Sequence, residues 1–233
     1  MAFGYLTAVL HFAPAKLSGF EVCPNRTRGC TLACLNTAGR GGIAKGGMLT
    51  YESVAAGKRN EIQAARIRKT QWYFNDRTSF MAALVKEIRR FELMARELGL
   101  KPAIRLNGTS DIPWERVKTP MGNANVMCAF PDVQFYDYTK RANRKDLPRN
   151  YSLTYSLAED NDEQARVALL HGMNVAAVFR KVPNEYALPG GNGNPYRVIN
   201  GDEHDLRFLD ERHCIVGLKA KGNAKRDTSG FVR

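Results

Sequence analysis

Seven short runs of β-branched and aromatic residues recur along the chain, and several of the segments between them carry helical periodicity. The runs are Tyr5–Phe12, Pro102–Leu106, Val133–Tyr138, Tyr151–Leu157, Val175–Phe179, Tyr196–Ile199 and Cys214–Leu218. Between the first two, Glu61–Leu98 turns helical. There Asp76 to Ser79 offer N-caps, Phe80, Leu84, Ile88, Phe91, Ala95 and Leu98 share a face, and Gly99 is a stop. Shorter helices are predicted over Asn123–Phe130 and Asp162–His171. Strands alternating with helices imply βα units and a parallel sheet. Five to seven strands suit a partial or open barrel better than a closed eight-stranded one, which takes about 250 residues. The predicted fold class is therefore α/β, a single-domain partial (βα) barrel over residues 1–218 with a basic C-terminal tail over 219–233.

Directly behind the first run lies a dense set of thiols, Cys23, Cys30 and Cys34, in a stretch rich in Gly, Arg, Asn and Thr. Such a composition does not make a packed core, and crowded thiolates repel one another unless a cation or cluster neutralises them. Zinc sites pair ligands two to four residues apart and total four. Cys30 and Cys34 fit that spacing, but Cys23 does not, and a fourth ligand would have to come from His213 or Cys214. An iron–sulfur cluster is the favoured reading, with zinc and plain packing as alternatives. Three thiolates on a four-iron cluster leave one iron open to a small molecule.

In βα folds the chemistry gathers at the C-terminal ends of the strands. The Cys loop, the turn-rich Asn107–Asp111, Thr139-Lys140-Arg141 and Glu159-Asp160 are all expected there. The 233 residues are 44% hydrophobic and 25% charged, as in ordinary soluble globular proteins. No run approaches the roughly 18 apolar residues needed to cross a bilayer. Met1–Phe12 lacks the basic start and cleavage site of a signal peptide, so a cytoplasmic address is expected and a disulfide framework fits poorly. The net charge of +12 suits solubility, an anionic small substrate or a nucleic acid.

An apolar strand, three Cys, a small-residue loop, a long helix and a strand ending in a polar Gly-containing loop resemble the radical S-adenosylmethionine (SAM) superfamily. More narrowly, Cys34-Leu35, Asn107-Gly108-Thr109-Ser110-Asp111 and Tyr138-Thr139-Lys140-Arg141 resemble motifs of small phage-encoded proteins related to it. The spacing here is Cys-x6-Cys-x3-Cys, where the superfamily's commonest is Cys-x3-Cys-x2-Cys. The resemblance implies a radical-SAM-like fold in the host cytoplasm and a [4Fe–4S] cluster on Cys23, Cys30 and Cys34. It also implies SAM on the open iron, cleaved to a deoxyadenosyl radical, and an external electron donor. Asn107, Gly108, Ser110, Asp111, Thr139 and Lys140 would then bind the cofactor, with Asp111 accepting from the ammonium of SAM.

Plainer readings stand beside these. Asn107–Asp111 is equally an Asx or Ser/Thr turn closing a strand. Lys140 and Arg141 are either carboxylate or phosphate ligands or a solvated strand end. Ser152, Thr154 and Ser156 make one face of their strand polar, toward a cavity or toward water. Asp202, His204, Asp205 and Asp210 read as a charged turn, and Cys128 and Cys214 as core residues. The Gly-rich run 39–47 lacks the ending of a phosphate loop. The rival functions are a zinc- or cluster-stabilised nucleic-acid module, with Tyr136, Tyr138, Tyr151 and Tyr155 stacking on bases, and a non-catalytic redox or regulatory cluster protein.

Overall fold

The computed structural model describes residues 2–233 apart from Met121, Asn123 and Asn192. Its first half runs β1 (Tyr5–Val9), α1 (Arg28–Leu32), β2 (Ile43–Ala44), β3 (Gly47–Met48), α2 (Tyr51–Ala55), α3 (Glu61–Asn75), α4 (Arg77–Glu97) and β4 (Lys101–Arg105). The second half runs α5 (Val126–Ala129), β5 (Gln134–Thr139), β6 (Tyr151–Ser156), α6 (Asp162–Leu170), β7 (Val175–Phe179), β8 (Glu185–Tyr186), β9 (Tyr196–Asn200) and β10 (Ile215–Lys219). The described residues build a main sheet ordered β1-β4-β5-β6-β7-β10-β9-β8. Every neighbouring pair in it is parallel except β8 with β9. The fold is thus a mixed α/β domain on one large, mostly parallel sheet.

One expectation gains detail and two need adjustment. The helical stretch Glu61–Leu98 is two helices that meet at Asp76, where the sequence offers an N-cap: its backbone (φ −142°, ψ 74°) ends α3 while its carboxylate caps α4 by accepting from Ser79 N at 3.0 Å. The Gly-rich run is not all loop, since it forms a 3-10 turn over Gly39–Gly42 and the β2–β3 hairpin. The main sheet also has one strand more than the seven expected, because β8 is only two residues long and leaves no periodicity to read. For the short helix, α5 begins at Val126 with Asn125 as its cap; the expected start, Asn123, lies outside the described residues.

From β1 through β7 the parallel strands join in chain order; the chain then reaches the far edge and reverses, which sets β10 between β7 and β9. Right-handed crossovers wound one way put their helices on one side of the sheet. The side chains agree. Ile104, Leu106, Phe135, Tyr151 and Leu153 pack with Phe80, Met81, Val85 and Ile88 of α4. Tyr155, Val175, Ala177 and Ile215 pack with Ala165, Ala168 and Leu169 of α6. Tyr151, Leu153 and Tyr155 have one parity on β6, so both clusters occupy the same face. At the α4 end, Phe12, Tyr73, Phe80 and Trp114 interlock at centroid distances of 5.3–6.1 Å.

The opposite face carries Ala103, Arg105, Tyr136, Tyr138, Ser156 and Val178, away from the packed helices α4 and α6. Instead the loop after β9 folds back, and Leu206 and Phe208 pack on Tyr5, Ala103 and Tyr136. The basic segment 219–233 also returns to the sheet. There Arg233 N donates to Val178 O at 2.8 Å and Arg180 N to Arg233 O at 2.9 Å, and Val232 is buried.

Candidate functional site

Where the second face meets the C-terminal ends of the strands, it opens into a cavity of about 470 Å³. Cys23, Cys30 and Cys34 all line it, as do Asn107, Gly108, Ser110, Asp111, Thr139 and Lys140. All nine residues singled out in the sequence therefore converge on one space. They come from the segments that follow β1 and β4 and from the C-terminal end of β5.

Backbone hydrogen bonds stitch the first two loops together. Gly108 N donates to Leu10 O at 2.9 Å and Asp111 N to Val22 O at 2.8 Å. The Cys23 thiol donates to Thr109 O at 3.7 Å. Gly108 is needed for this approach, because a Cβ there would lie 2.8 Å from Leu10 O and 2.5 Å from His11 Nδ1. Burial, reinforced by Arg66, Arg105 and Lys69, pulls the His11 imidazole down to about 4, so it is neutral at pH 7.

Cys30 sits in α1, a single turn secured from outside. The Thr27 hydroxyl caps it by accepting from Cys30 N at 3.0 Å and donates to Glu159 Oε2 at 2.6 Å. Glu159 Oε1 accepts from Gly29 N at 2.6 Å. Glu159, at the end of β6, thus positions the loop that carries two of the thiols. Its place at a strand end was foreseen; this role was not, because one acidic loop residue has no distinguishing pattern.

The three thiols are half-buried and free. Burial drives the Cys23 thiol far up, with Cys34, Cys30 and Asp111 adding to the shift. Cys34 is pushed up to about 11, by burial and then Cys30, against the pull of Arg66 and Lys140. Cys23 and Cys34 therefore keep their protons at neutral pH unless a cation replaces them. Among the described residues no three His, Cys, Asp or Glu side chains are grouped closely enough to hold a single metal ion.

The remaining expected residues divide into two kinds. Asn107 is a scaffold: its Oδ1 accepts from Ser110 Oγ, Ile112 N and Trp114 Nε1, and its Nδ2 donates to Ile112 O and Asp137 Oδ2. This is the Asx-turn arrangement. Asp111 is partly spent, accepting from Thr139 Oγ1 at 2.8 Å and Lys140 N at 3.0 Å. Lys140 is the exception. Its Nζ donates to Ser156 Oγ at 2.7 Å and has no carboxylate partner among the described residues, while the ring of Phe231 lies 5.7 Å away. The polar face of β6 thus points at the cavity through Ser156, on a central strand.

Beneath these loops is a buried polar network that sequence inspection did not find. Asp137 Oδ1 accepts from Asn107 N at 2.6 Å, and its Oδ2 from Tyr151 OH at 2.8 Å. Arg144 donates to Tyr151 OH at 3.1 Å and grips Glu115 with two nitrogens. The one available signal was Asp137 sitting between Phe135 and Thr139 on the inward parity of its strand.

Other expectations are corrected. Cys128 is exposed, because it lies on the outer side of α5, whose buried residues are Val126 and Met127. Cys214 is buried as expected, its thiol donating to Glu211 O at 3.2 Å. It precedes β10, whereas the cavity lies at the other end of that strand, roughly 15 Å away at strand rise. It cannot supply a fourth thiolate there. Tyr136, Tyr151 and Tyr155 are buried and offer no free face for base stacking, while Tyr138 lines the cavity with the Arg105 guanidinium over its ring at 4.5 Å. Asp202, Asp205 and Asp210 pair with Lys221, Arg105 and Arg207 at 2.5, 3.1 and 3.3 Å, forming the charged turn that was expected.

Fold and site together define an α/β protein with a thiol-lined cavity at the C-terminal ends of a parallel sheet. The chain belongs to the family described as gene product 88, a phage-type family whose pattern matches residues 2–233. No curated protein and no solved structure matches it. No helix of the described residues is long and apolar enough to cross a membrane.

Proposed function

We propose that Cys23, Cys30 and Cys34 hold a [4Fe–4S] cluster whose open iron faces the cavity and takes SAM. The observation that carries this reading is the convergence of three half-buried thiols on one cavity, with the other two cysteines elsewhere. A cluster distributes its ligands over separate irons, so spaced thiolates suit it better than one zinc ion. When bound, such a cluster supplies an electron and an open coordination site for the ligand. The chain's own residues would do the rest. Glu159 and Thr27 fix the turn holding Cys30, and Lys140 offsets thiolate charge and receives an anionic group of the ligand. Asp111 keeps the strand-end loop against β5, and its carboxylate, which also faces Arg144 Nη1 at 3.8 Å, would accept from the ammonium of SAM. The chain-order pairing of β1 through β7 and the packing of α4 and α6 on one face support the partial-barrel reading that accompanies this function.

Anaerobic reconstitution tests the proposal. Wild type should be brown with about four irons per chain. Cys30→Ala should lose the iron and Cys128→Ala should retain it. SAM should perturb the EPR signal of the reduced cluster. Stoichiometric zinc without visible absorption would overturn the cluster, and a cluster indifferent to SAM would reduce the protein to a redox or structural one.

A further inference from the structure

The thiol loop lies in a long basic stretch of the chain. Residues 24–69 hold nine Lys and Arg against two Glu, a net +7 of the chain's +12. Of these, Arg28, Arg40, Lys45, Lys58, Arg59 and Arg68 are exposed, and none has an ion-pair partner among the described residues. Unpaired cations gathered in one segment leave a field that steers an anionic partner.

Within this stretch lie three exposed apolar side chains, Leu35, Ile43 and Met48, at 53%, 60% and 57% exposure. They belong to one surface. Ile43 and Met48 face each other across the β2–β3 hairpin. The end of Met48 lies 3.1 Å from the Cβ position of Gly42, which stacks against Thr37 in the turn that Leu35 opens. Asn60 ties the same turn to the start of α3 by donating to Arg40 O, Gly41 O and Ile43 O at 2.8–3.3 Å. Gln63 donates to Asn36 O and Gly41 O at 2.7 Å each. The patch is therefore fixed in shape, and Leu35 is the residue next to Cys34.

An apolar patch that includes Met, in a segment rich in unpaired charge, has the anatomy of a protein-binding surface. Nucleic-acid surfaces are more polar and present aromatic faces for stacking, and this patch exposes no aromatic ring. We propose that this face docks an acidic protein, a one-electron carrier that gives its electron at the thiol loop. In that step the carrier is oxidised by one electron and the cluster reduced by one. The carrier role rests on the cluster reading above; the docking of an acidic protein does not.

The two can be tested apart. Fluorescently labelled flavodoxin, an acidic flavin-bearing carrier, is titrated with the full chain before and after iron loading, and basic cytochrome c and a duplex DNA oligonucleotide serve as comparison probes. Flavodoxin should bind in both states and weaken about tenfold between about 50 and about 300 mM salt. The triple variant R40E/K45E/R59E should bind about tenfold more weakly, as should I43S/M48S, while circular dichroism stays native. Cytochrome c should not bind. Unchanged affinity in both variants, no flavodoxin binding, or tighter binding of the DNA overturns the docking surface. Should docking survive but no iron load, the carrier role falls with the cluster. Where iron does load, flavodoxin should reduce it about tenfold more slowly in R40E/K45E/R59E while dithionite reduces both alike; equal rates overturn electron delivery at this face.

Discussion

The two faces of the sheet are built from the same strands but on different rules. On β6, Tyr151, Leu153 and Tyr155 turn toward the helices, while Ser152, Thr154 and Ser156 turn the other way. The helix-covered face is apolar and interlocked, and burying it stabilises the domain. The open face carries Arg105, Tyr138, Ser156 and Lys140 around a cavity and is covered only by returning loops. Stability and candidate chemistry are thus separated by strand parity. The boundary runs through the loops at the strand ends, where Asn107 is scaffold and Lys140 is free to act.

The sharpest way to break this comparison is to empty the helix face. Phe135→Ala removes a ring with no exposed surface, and the cavity left should cost about 3–5 kcal/mol. Urea unfolding checks it. A loss under about 1 kcal/mol would mean that the helix face is not where the stability lies.

Next comes Asp137, which belongs to the helix side by parity but holds up the cavity loop. Burial pushes its carboxyl to about 7, against the hydrogen bonds from Asn107 and Tyr151 and the charges of Arg105 and Arg144. A folded-state value above the unfolded one near 4 means that the native state binds more protons in that window. Stability should therefore be greatest below about pH 4 with respect to this group and fall as pH rises toward about 7. The slope should reach up to about 1.4 kcal/mol per pH unit. Asp137→Asn should remove that slope in unfolding measurements from pH 4 to pH 8. If the variant keeps it, another group titrates there.

A smaller effect is expected at Gly29, at the boundary. A Cβ there would lie 2.1 Å from Ser229 Oγ, 2.7 Å from Phe231 Cβ and 2.8 Å from Glu159 Oε2. Gly29→Ala should cost about 1–3 kcal/mol and, on the cluster reading, lower iron loading with it. Wild-type iron content at that stability loss would show that α1 need not hold its place for the thiols to work.

These contrasts explain what could be read from the chain. Periodicity reports burial against a continuous apolar surface, so β4, β5, β6, β7 and β10 were legible to within a residue, while β1 ends at Val9, three residues before the expected Phe12. The strand-end loops were legible as well, because Gly, Asn, Thr and clustered Cys mark them locally. What stayed hidden depends on contacts far apart in sequence. Asp205 reaches Arg105 from 100 residues away, and Glu159 reaches Gly29 from 130. The segment 219–233 reads as a basic C-terminal tail, and Phe231 within it forms a wall of the cavity. Cys128 was misread because its neighbours are apolar, while the four-residue α5 buries only Val126 and Met127.

The least disruptive change should lie on the open face. Ser156→Ala deletes the hydroxyl that accepts from Lys140 Nζ at 2.7 Å, and both side chains border the cavity. Lys140 is only half-buried, so its ammonium can turn to solvent instead of remaining unpaired. Stability should change by no more than about 0.5 kcal/mol, and the readable effect should fall on ligand binding. On the proposed function, SAM should perturb the reduced cluster less, because Lys140 is no longer held toward the cavity. A stability loss above about 1 kcal/mol would show instead that the Ser156–Lys140 pair helps to hold the sheet together, and that the open face carries part of the load assigned to the helix side.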